Sequence, residues 1–295
     1  MTRALVAAIA IIGALAGALA GALAGCTKPA ACPLSPRAPA EAAPLLWRVQ
    51  PATTDGPVLW LYGTIHDAGR DDVAPAAWTA LDGAPRLVSE LGDTEPDGDD
   101  FRDAVKLPRG KGLDQLLPVD DWWDLRDTLR GTIREEDLAR VRPWYAMTLL
   151  TRQVTGKAVP GMDVLLAEHA RDRGLPVDAL ETWDEQLALL GNAVSIDDLA
   201  QAIRERKAMR CQLVAARDAY AAGDLPVMEQ VFGRDPTGTM LAPRNRRWLP
   251  KLEAYLAGGG AFVAVGIGHL VGPEGLPALL AADGYRVERA APLMR

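Results

Sequence analysis

Two of the three histidines in the chain close near-copies of one sequence motif. The first copy reads VLWLYGTIH and ends at His66, and the second reads AFVAVGIGH and ends at His269. In each copy an apolar run is followed by Gly-x-x-His. Imidazole is a common metal ligand and exchanges protons near neutral pH, so the pair favours a metal site or acid–base chemistry. The alternative is that each is a hydrogen-bonded structural residue.

The elements that position these histidines are predicted to be strands. Each run is apolar on both faces, which is typical of a strand in the middle of a covered sheet. Gly63 and Gly266 indicate a conformation that a side chain would block, or a close approach to the backbone. Each histidine would follow the C-terminal end of its strand, where open α/β sheets place their sites. We therefore predict that His66 and His269 meet at one edge of one sheet.

Carboxylates and a basic run are the next candidates for the same site. Glu90 and Glu181 each end a predicted strand, and an ion held by two imidazoles usually also takes oxygen ligands. The alternative is that both are exposed acids. Asp163 could be a ligand, an acid that supports one, or the start of a helix, whereas His169 is expected to be structural. The run RNRR at residues 244–247 lies on a solvated helix surface, or directs one arginine inward to hold a carboxylate.

The rest of the chain predicts an α+β fold of α/β-like character. Strands at both ends of the chain, with helices between them, imply one central mixed β-sheet that is flanked by helices and contains the N- and C-terminal strands. The predicted strands are Leu45–Val49, Val58–Tyr62, Arg86–Leu91, Pro176–Leu180, Phe262–Val265 and Tyr285–Arg289. The predicted helices are Pro75–Leu81, Asp120–Arg130, Pro143–Val154, Asp163–Arg173, Ser195–Ala222, Pro243–Leu256 and Gly275–Ala282.

The first residues are predicted to be a targeting segment. An uncharged Ala/Leu/Ile/Gly run ends in LAGC, which matches the lipobox at which bacterial lipoproteins are cleaved and acylated on the cysteine, here Cys26. We predict a signal peptide over residues 1–25, a Pro/Ala-rich tether over 26–44 and a single domain over 45–295. A transmembrane anchor is the competing interpretation. We expect the protein to be lipid-anchored in the bacterial cell envelope, at the periplasmic face of the outer membrane.

Charge and cysteine content narrow the function classes. The net charge is −7 and the basic residues are interspersed with acidic ones, so no nucleic-acid surface is expected. The acidic stretch 93–103 is predicted to be a solvated loop, because its spacing lacks the order of an EF-hand. Cys32 and Cys211 could pair in an oxidising compartment. The chain has no Cys-x-x-Cys zinc pattern.

Several of these motifs occur together in the order of one known family. They are YGTIH, LVSE, RPWY, GMD, LET with Gln186, RNRRW and VGIGHLVGPEGL. In this set the chain resembles the TraB/GumN family, which includes the Tiki-type metalloproteases that inactivate Wnt proteins. The family is more distantly related to the erythromycin-esterase and ChaN-like proteins. The resemblance covers nearly all of the chain after the tether.

The resemblance implies a mixed sheet flanked by helices, with the Gly-x-x-His motifs and a glutamate around a divalent metal, which is manganese or cobalt in the Tiki-type members. The sequence does not distinguish manganese, cobalt and zinc. His66, Glu90 and His269 match the positions proposed for metal binding and catalysis. Glu181 and Arg244 match further site positions of the family, and Asn245, another site candidate, follows Arg244. The glutamate that the family usually carries after Gly-x is here Asp163, one methylene shorter.

Two functions from different classes follow. In the first, the protein is a metal-dependent hydrolase, and specifically a peptidase. The ion activates water, Glu90 or Glu181 is the general base, and Arg244 holds a substrate carboxylate or stabilises an oxyanion. In the second, it is a non-catalytic lipoprotein that captures a peptide or small ligand, as the pheromone-shutdown members suggest. A capture site uses the same residue types as a catalytic site.

Overall fold

The computed structural model describes residues 43–52, 56–66, 68–91, 98–155, 161–235 and 237–291. The predicted signal peptide, Cys26 and nearly all of the predicted tether lie outside these residues. In the described part of the chain, no helix is both long enough and apolar enough to cross a membrane.

Six strands of the described residues form one mixed sheet, in the order β4-β3-β5-β2-β1-β6. Their bounds are β1 Leu46–Pro51, β2 Leu59–Thr64, β3 Leu87–Ser89, β4 Val177–Ala179, β5 Ala261–Gly266 and β6 Tyr285–Arg289. The pairs β2–β5, β5–β3 and β3–β4 are parallel, whereas β1 is antiparallel to both β2 and β6. The first and last strands are therefore neighbours, and the predicted α+β fold with the N- and C-terminal strands in one sheet is confirmed.

The two strands that carry Gly-x-x-His, β2 and β5, lie side by side in the middle of the sheet. Their core residues, such as Leu61 and Val263, are fully buried, as expected of strands that are covered on both faces. Gly63 pairs with Val265 in the register. A Cβ on Gly63 would collide with the side chain of Ile267, whereas its φ is not in the left-handed region. Of the two reasons predicted for this glycine, close approach is the one that applies.

Twelve α-helices surround the sheet in the described residues. They are α1 Pro75–Asp82, α2 Gly98–Ala104, α3 Leu113–Leu116, α4 Val119–Thr128, α5 Glu135–Leu138, α6 Pro143–Thr155, α7 Met162–Asp172, α8 Trp183–Leu190, α9 Ile196–Ala221, α10 Leu225–Phe232, α11 Ala242–Ala257 and α12 Leu276–Ala282.

The buried apolar residues fall into two clusters. The first surrounds the sheet and includes Leu61, Val263 and Ile267. The second consists largely of helical residues from the middle of the chain, such as Trp144 and Met240. This division positions the site described below, because its pocket is lined by residues of both clusters.

Local sequence signals explain where the longest helix begins. The Ser195 hydroxyl accepts a hydrogen bond from the backbone N–H of Asp198 at 3.1 Å, and the Asp198 carboxylate accepts from the backbone N–H of Ser195 at 2.9 Å. This reciprocal capping box satisfies two N–H groups that a helix start otherwise leaves unpaired. The predicted start of this helix at Ser195 is confirmed, and Ser195 is its N-cap.

The acidic stretch 93–103 requires a correction. It was predicted to be a solvated loop, but α2 covers it from Gly98 onward, and residues 93–97 lie outside the described part. Phe101 is buried in the second cluster and holds the helix against the protein. Asp99 and Asp100 lie in its first turn, where the helix dipole favours negative charge.

One cysteine of the predicted pair can be described. Cys211, on α9, is disulfide-bonded. The other two cysteines of the chain, Cys26 and Cys32, both lie outside the described residues. The pairing of Cys32 with Cys211 therefore stays a prediction.

Candidate active site

Four adjacent strands, β2, β5, β3 and β4, run parallel, so their carboxyl ends meet at one edge of the sheet. Each strand is followed by a polar candidate that was predicted from the sequence. These residues are His66 after β2, His269 after β5, Glu90 after β3 and Glu181 after β4. The four residues therefore lie at one edge of the sheet, where the sequence predicts that they converge.

Arg244 reaches this edge from α11 and is only 3% exposed. Its Nε and Nη2 donate to the two carboxylate oxygens of Glu181, at 3.0 and 2.5 Å. Nη2 also donates to Oε2 of Glu90 at 2.6 Å. Nη1 donates to the backbone oxygen of Met240 and to Nε2 of His269, both at 3.0 Å. All five N–H groups of the guanidinium are therefore used within the protein.

Of the two alternatives for the RNRR run, the inward one applies to Arg244, which makes two hydrogen bonds to one carboxylate. The carboxylates it holds are the protein's own. Because no N–H group remains free, Arg244 cannot bind a substrate carboxylate in this arrangement. Arg246, two residues later on the same helix, is 60% exposed in its side chain and pairs with Glu274 at the surface.

His269 is held in one orientation and one tautomer. Arg244 can only donate, so Nε2 of His269 is the acceptor and the assigned proton sits on Nδ1. Nδ1 donates to Oδ1 of Asn245 at 2.6 Å, and the Asn245 amide nitrogen donates to the backbone oxygens of His269 and Glu274. The ring packs against Trp248 with centroids 4.4 Å apart. Burial and the Arg244 charge lower the pKa of His269 to about 3, so its imidazole is neutral at pH 7.

The two glutamates respond differently to the shared arginine. Burial raises the pKa of Glu90, but Arg244, His269 and the backbone N–H of Gly266, 2.8 Å from Oε1, together lower it to about 2. For Glu181, burial outweighs Arg244 and raises the pKa above its usual value. Two carboxylates beside one guanidinium disfavour each other's ionisation. Glu90 is therefore the fixed anion of the cluster.

His66 lies opposite this cluster and has a different partner. Its Nδ1 lies 2.8 Å from Oδ2 of Asp163, a short ionic contact that is poorly aligned as a hydrogen bond. Thr64 donates to the other oxygen of Asp163 at 2.7 Å. Burial lowers the pKa of His66, but the charges of Asp163 and Glu90 outweigh it and raise the pKa above its usual value. The Nε2 atom has no hydrogen-bond partner among the described residues.

Asp163 combines two of the roles that the sequence left open. It lies in the first turn of α7 and also orients the His66 ring from that position. His169, on the same helix, lies elsewhere: its Nε2 is 2.8 Å from Asp82 and its ring packs on Trp78. This surface contact fits the structural role predicted for His169.

One pocket brings five of the candidates together, whereas the candidates Gly63, Asp163, Glu181 and Asn245 do not line it. His66, Glu90, Arg244, Gly266 and His269 all line it. Its other walls are mostly apolar and are formed by Ile65, Leu213, Ala216, Phe232, Met240, Leu241 and Ile267, with the polar residues Thr64, Gln186 and Arg217. A concave apolar pocket with a few convergent polar groups is the usual form of a small-molecule site.

Sequence reasoning missed residues that support the site from a distance. Thr64 lies two residues before His66, and its hydroxyl could have been noticed as part of the motif. Tyr220, on α9, gave no signal. Its hydroxyl donates to the backbone oxygen of Gly63 at 2.5 Å and lies 3.0 Å from the Tyr62 hydroxyl, across 157 and 158 residues of sequence.

Comparison with known families agrees with this arrangement of motifs. The model of the TraB/PrgY/gumN family matches residues 45–289, most of the chain. The chain belongs to the TraB/PrgY/gumN family. Comparisons with curated proteins and with solved structures found no match.

The divalent ion expected for a TraB/PrgY/gumN protein needs donor atoms that are free to face it. In the described part of the chain, no three His, Cys, Asp or Glu side chains are grouped so that they could hold an ion. Nε2 of His269 and Oε2 of Glu90 already accept hydrogen bonds from Arg244, whose positive charge lies where the carboxylates converge. As placed, these two atoms are not free to bind an ion, so the residues do not fit a resident metal. The predicted ion stays a prediction, and no step below depends on it.

Proposed function

We propose that this TraB/PrgY/gumN protein is a hydrolase, and specifically a peptidase, in which His66 activates water. One observation carries the proposal. Nε2 of His66 has no partner among the described residues and belongs to a side chain that lines the pocket, while Nδ1 contacts the Asp163 carboxylate. An imidazole with one nitrogen against a carboxylate and the other directed to a substrate site is the usual arrangement of a general base.

In the proposed reaction, Nε2 of His66 removes a proton from a water molecule as the oxygen attacks the substrate carbonyl. Asp163 stabilises the imidazolium that forms, because its carboxylate already contacts Nδ1. The imidazolium then gives the proton to the leaving nitrogen or oxygen, and the neutral base returns. Thr64 fixes the carboxylate through its hydrogen bond.

In this proposal a rigid cluster supports the site without taking part in proton transfer. It consists of Arg244, Glu90, Glu181 and His269. Arg244 has used all its donors and His269 is held neutral, so neither exchanges a proton during the cycle. The Glu90 anion raises the pKa of His66 and helps to hold the imidazolium. This differs from the sequence hypothesis, in which Glu90 or Glu181 is the general base.

A cleavage screen tests the proposed activity. The full-length chain, in detergent, is incubated with blocked peptides in water enriched in oxygen-18, and the products are analysed by mass spectrometry. We expect one heavy oxygen in each new carboxyl group. Peptides that bind but remain intact would instead favour the non-catalytic ligand-binding lipoprotein.

The metal-dependent form of the hydrolase is the alternative, and chelation distinguishes it. We expect the unfolding temperature and the activity to be unchanged by a chelator or by added manganese, cobalt or zinc. The reason is that Nε2 of His269 and Oε2 of Glu90, which an ion would need as ligands, already accept hydrogen bonds from Arg244. A ligand that binds only the native state raises its stability with concentration. A loss of stability in chelator that one of these ions restores would support the metal-dependent form.

We also propose that a lipid on Cys26 holds the protein at the periplasmic face of the bacterial outer membrane. The LAGC sequence supports lipid attachment, and position 27 is threonine rather than the aspartate that signals retention at the inner membrane. We expect Cys26→Ser to abolish incorporation of a palmitate analogue and to leave an unprocessed precursor, because the lipobox cysteine is the acylated residue. An unlabelled wild-type chain in the native host would exclude lipid anchoring.

A further inference from the structure

The longest helix, α9, carries an excess of positive charge in a protein that is acidic as a whole. Residues 204–218 contain five basic and two acidic side chains, whereas the net charge of the chain is −7. Two of the basic side chains, Arg204 and Arg206, form ion pairs with Asp121 and Asp124 of α4. The charges of these two arginines are therefore balanced within the protein.

The other three basic residues lie along the outer face of the same helix. Arg210 follows Lys207 by three residues and Arg217 follows Arg210 by seven, which places all three on one side of α9. All are exposed. Arg217 donates to Asp72, but Lys207 and Arg210 form no ion pair with another described residue. Two unpaired positive charges, about one helical turn apart, attract an anionic surface.

Cys211 lies four residues after Lys207, on the same outer face, and is disulfide-bonded. The chain has two other cysteines, Cys26 and Cys32. Because a lipoprotein carries its lipid on the cysteine sulfur, a lipid-bearing Cys26 leaves Cys32 as the partner. Formation of this bond removes two protons and two electrons from the thiols, and a disulfide of the oxidising envelope accepts them as it becomes a dithiol.

Such a disulfide shortens the connection between the lipid and the domain. An extended chain reaches about 3.5 Å per residue, so the tether from Cys26 to Ala43 spans up to about 60 Å. The stretch from Cys26 to Cys32 spans only up to about 20 Å. The disulfide therefore keeps the outer face of α9 close to the membrane, whereas the longer tether alone lets the domain turn in any direction.

We propose that the outer face of α9 rests on the membrane, where Lys207 and Arg210 contact the phosphate groups of anionic phospholipids. A disulfide between Cys32 and Cys211 holds the helix there. This inference rests on the proposed lipid on Cys26 and is independent of the proposed hydrolysis. Each basic residue near an anionic leaflet adds only a modest attraction, so the lipid anchors the chain and the charged face orients it.

This orientation brings the pocket close to the lipid headgroups. Leu213, Ala216 and Arg217 of α9 line the pocket. An α-helix with its side chains is about 10–12 Å across, so the pocket begins within roughly that distance of the membrane surface. The proposed site would then meet ligands that are held at this surface.

Peptide mapping without reductant tests the covalent part of the proposal. The mature chain is isolated from the native host, digested and analysed by mass spectrometry. We expect one linked pair of peptides that contains Cys32 and Cys211. A pair that links Cys26 to Cys211, or a free thiol on Cys211, would overturn the proposed arrangement.

The acetylation rate of Lys207 tests the membrane contact. The mature chain, in vesicles of phosphatidylcholine alone or with about one third phosphatidylglycerol, is treated with a membrane-impermeant acetylating reagent. We expect Lys207 to react about fivefold more slowly in the anionic vesicles. The difference should vanish in 1 M salt, where the Debye length is about 3 Å. Lys111, an exposed residue outside α9, is the internal reference and should react at one rate in both.

Two substitutions with the same change in charge separate this face from the rest of the surface. Arg210→Glu reverses one of the two unpaired charges, and we expect it to remove the protection of Lys207. Arg109→Glu, at an exposed position outside α9, is the matched control and should keep the protection. Cys32→Ser retains the lipid but releases α9, so the protection should fall.

The outcomes separate this proposal from lipid anchoring itself. A chain that incorporates no palmitate analogue would overturn both. A labelled chain whose Lys207 reacts equally in the two kinds of vesicle, or stays protected in Arg210→Glu, would overturn only the membrane contact. Protection of Lys207 by inorganic phosphate without vesicles would assign the face to a soluble anion and would overturn it too. None of these results bears on whether His66 activates water.

Discussion

Replacing His66 with alanine is expected to lower kcat by about 10²- to 10⁴-fold, the usual contribution of a general base. The fold should survive, because the substitution removes only the contact to one oxygen of Asp163, while Thr64 still donates to the other. The measurement is initial rates on a peptide found in the cleavage screen, together with the unfolding temperature of each variant.

His169→Ala is a matched control for this substitution. His169 also has a ring nitrogen 2.8 Å from an aspartate, but its contact with Asp82 lies outside the pocket. The control should retain wild-type kcat. Equal activity of His66→Ala and wild type would remove His66 from the chemistry.

The pH profile provides a second readout of the same role. A general base must be unprotonated, so kcat/KM should fall as the pH drops through the raised pKa of His66. Asp163→Asn removes the larger of the two charges that raise this pKa, so the acid limb should move to lower pH. A structural role for His66 would leave the limb unchanged.

Arg244→Ala is expected to destabilise the protein by about 3–5 kcal/mol, because it leaves two buried carboxylates without their shared counter-ion. Glu90 and Glu181 both depend on this guanidinium, and both are largely buried. His269 also loses the donor that faces Nε2. Denaturant unfolding at pH 7 measures the loss.

Arg246→Ala, on the same helix, is the control for Arg244→Ala. Its ion pair with Glu274 is largely exposed, so we expect a cost of no more than about 1 kcal/mol. Adding Glu90→Gln and Glu181→Gln to Arg244→Ala should recover part of the lost stability, since no unpaired charge then remains buried. Similar costs for the two alanine variants would contradict the structural role of Arg244.

The fold was readable from the sequence where hydrophobic pattern and local signals agreed. β2 and β5 are predictable because runs such as LWLY and FVAV are apolar on both faces, and the start of the longest helix because Ser195 is a favoured N-cap residue. Short helices such as α2 and α8 were missed. Length alone does not explain this, because α1 and α12 are as short and were predicted. In α2 the helix lies in an acidic run without apolar periodicity, and burial of Phe101 decides its conformation.

The sequence was enough to predict which residues form the site, but not what each of them does. The repeated Gly-x-x-His motif was enough to bring His66 and His269 to one sheet edge. The sequence could not show that Arg244 would use every donor on the protein's own groups, because a count of hydrogen bonds needs coordinates. For the same reason, it could not show which basic residues of α9 stay unpaired.

The pairing of β2 with β5 sets when the site can exist during folding. These strands come from opposite ends of the domain, and the contact between Arg244 and Glu90 spans 154 residues. Contacts of such sequence separation form late, because the loops they close lose much conformational entropy. In a nascent or partly folded chain, Arg244 therefore does not yet hold Glu90, and His66 is not yet in its place in the pocket. The proposed hydrolytic site therefore forms only after β5 has been synthesised and has paired with β2, so the topology itself delays any activity of this site until late in synthesis.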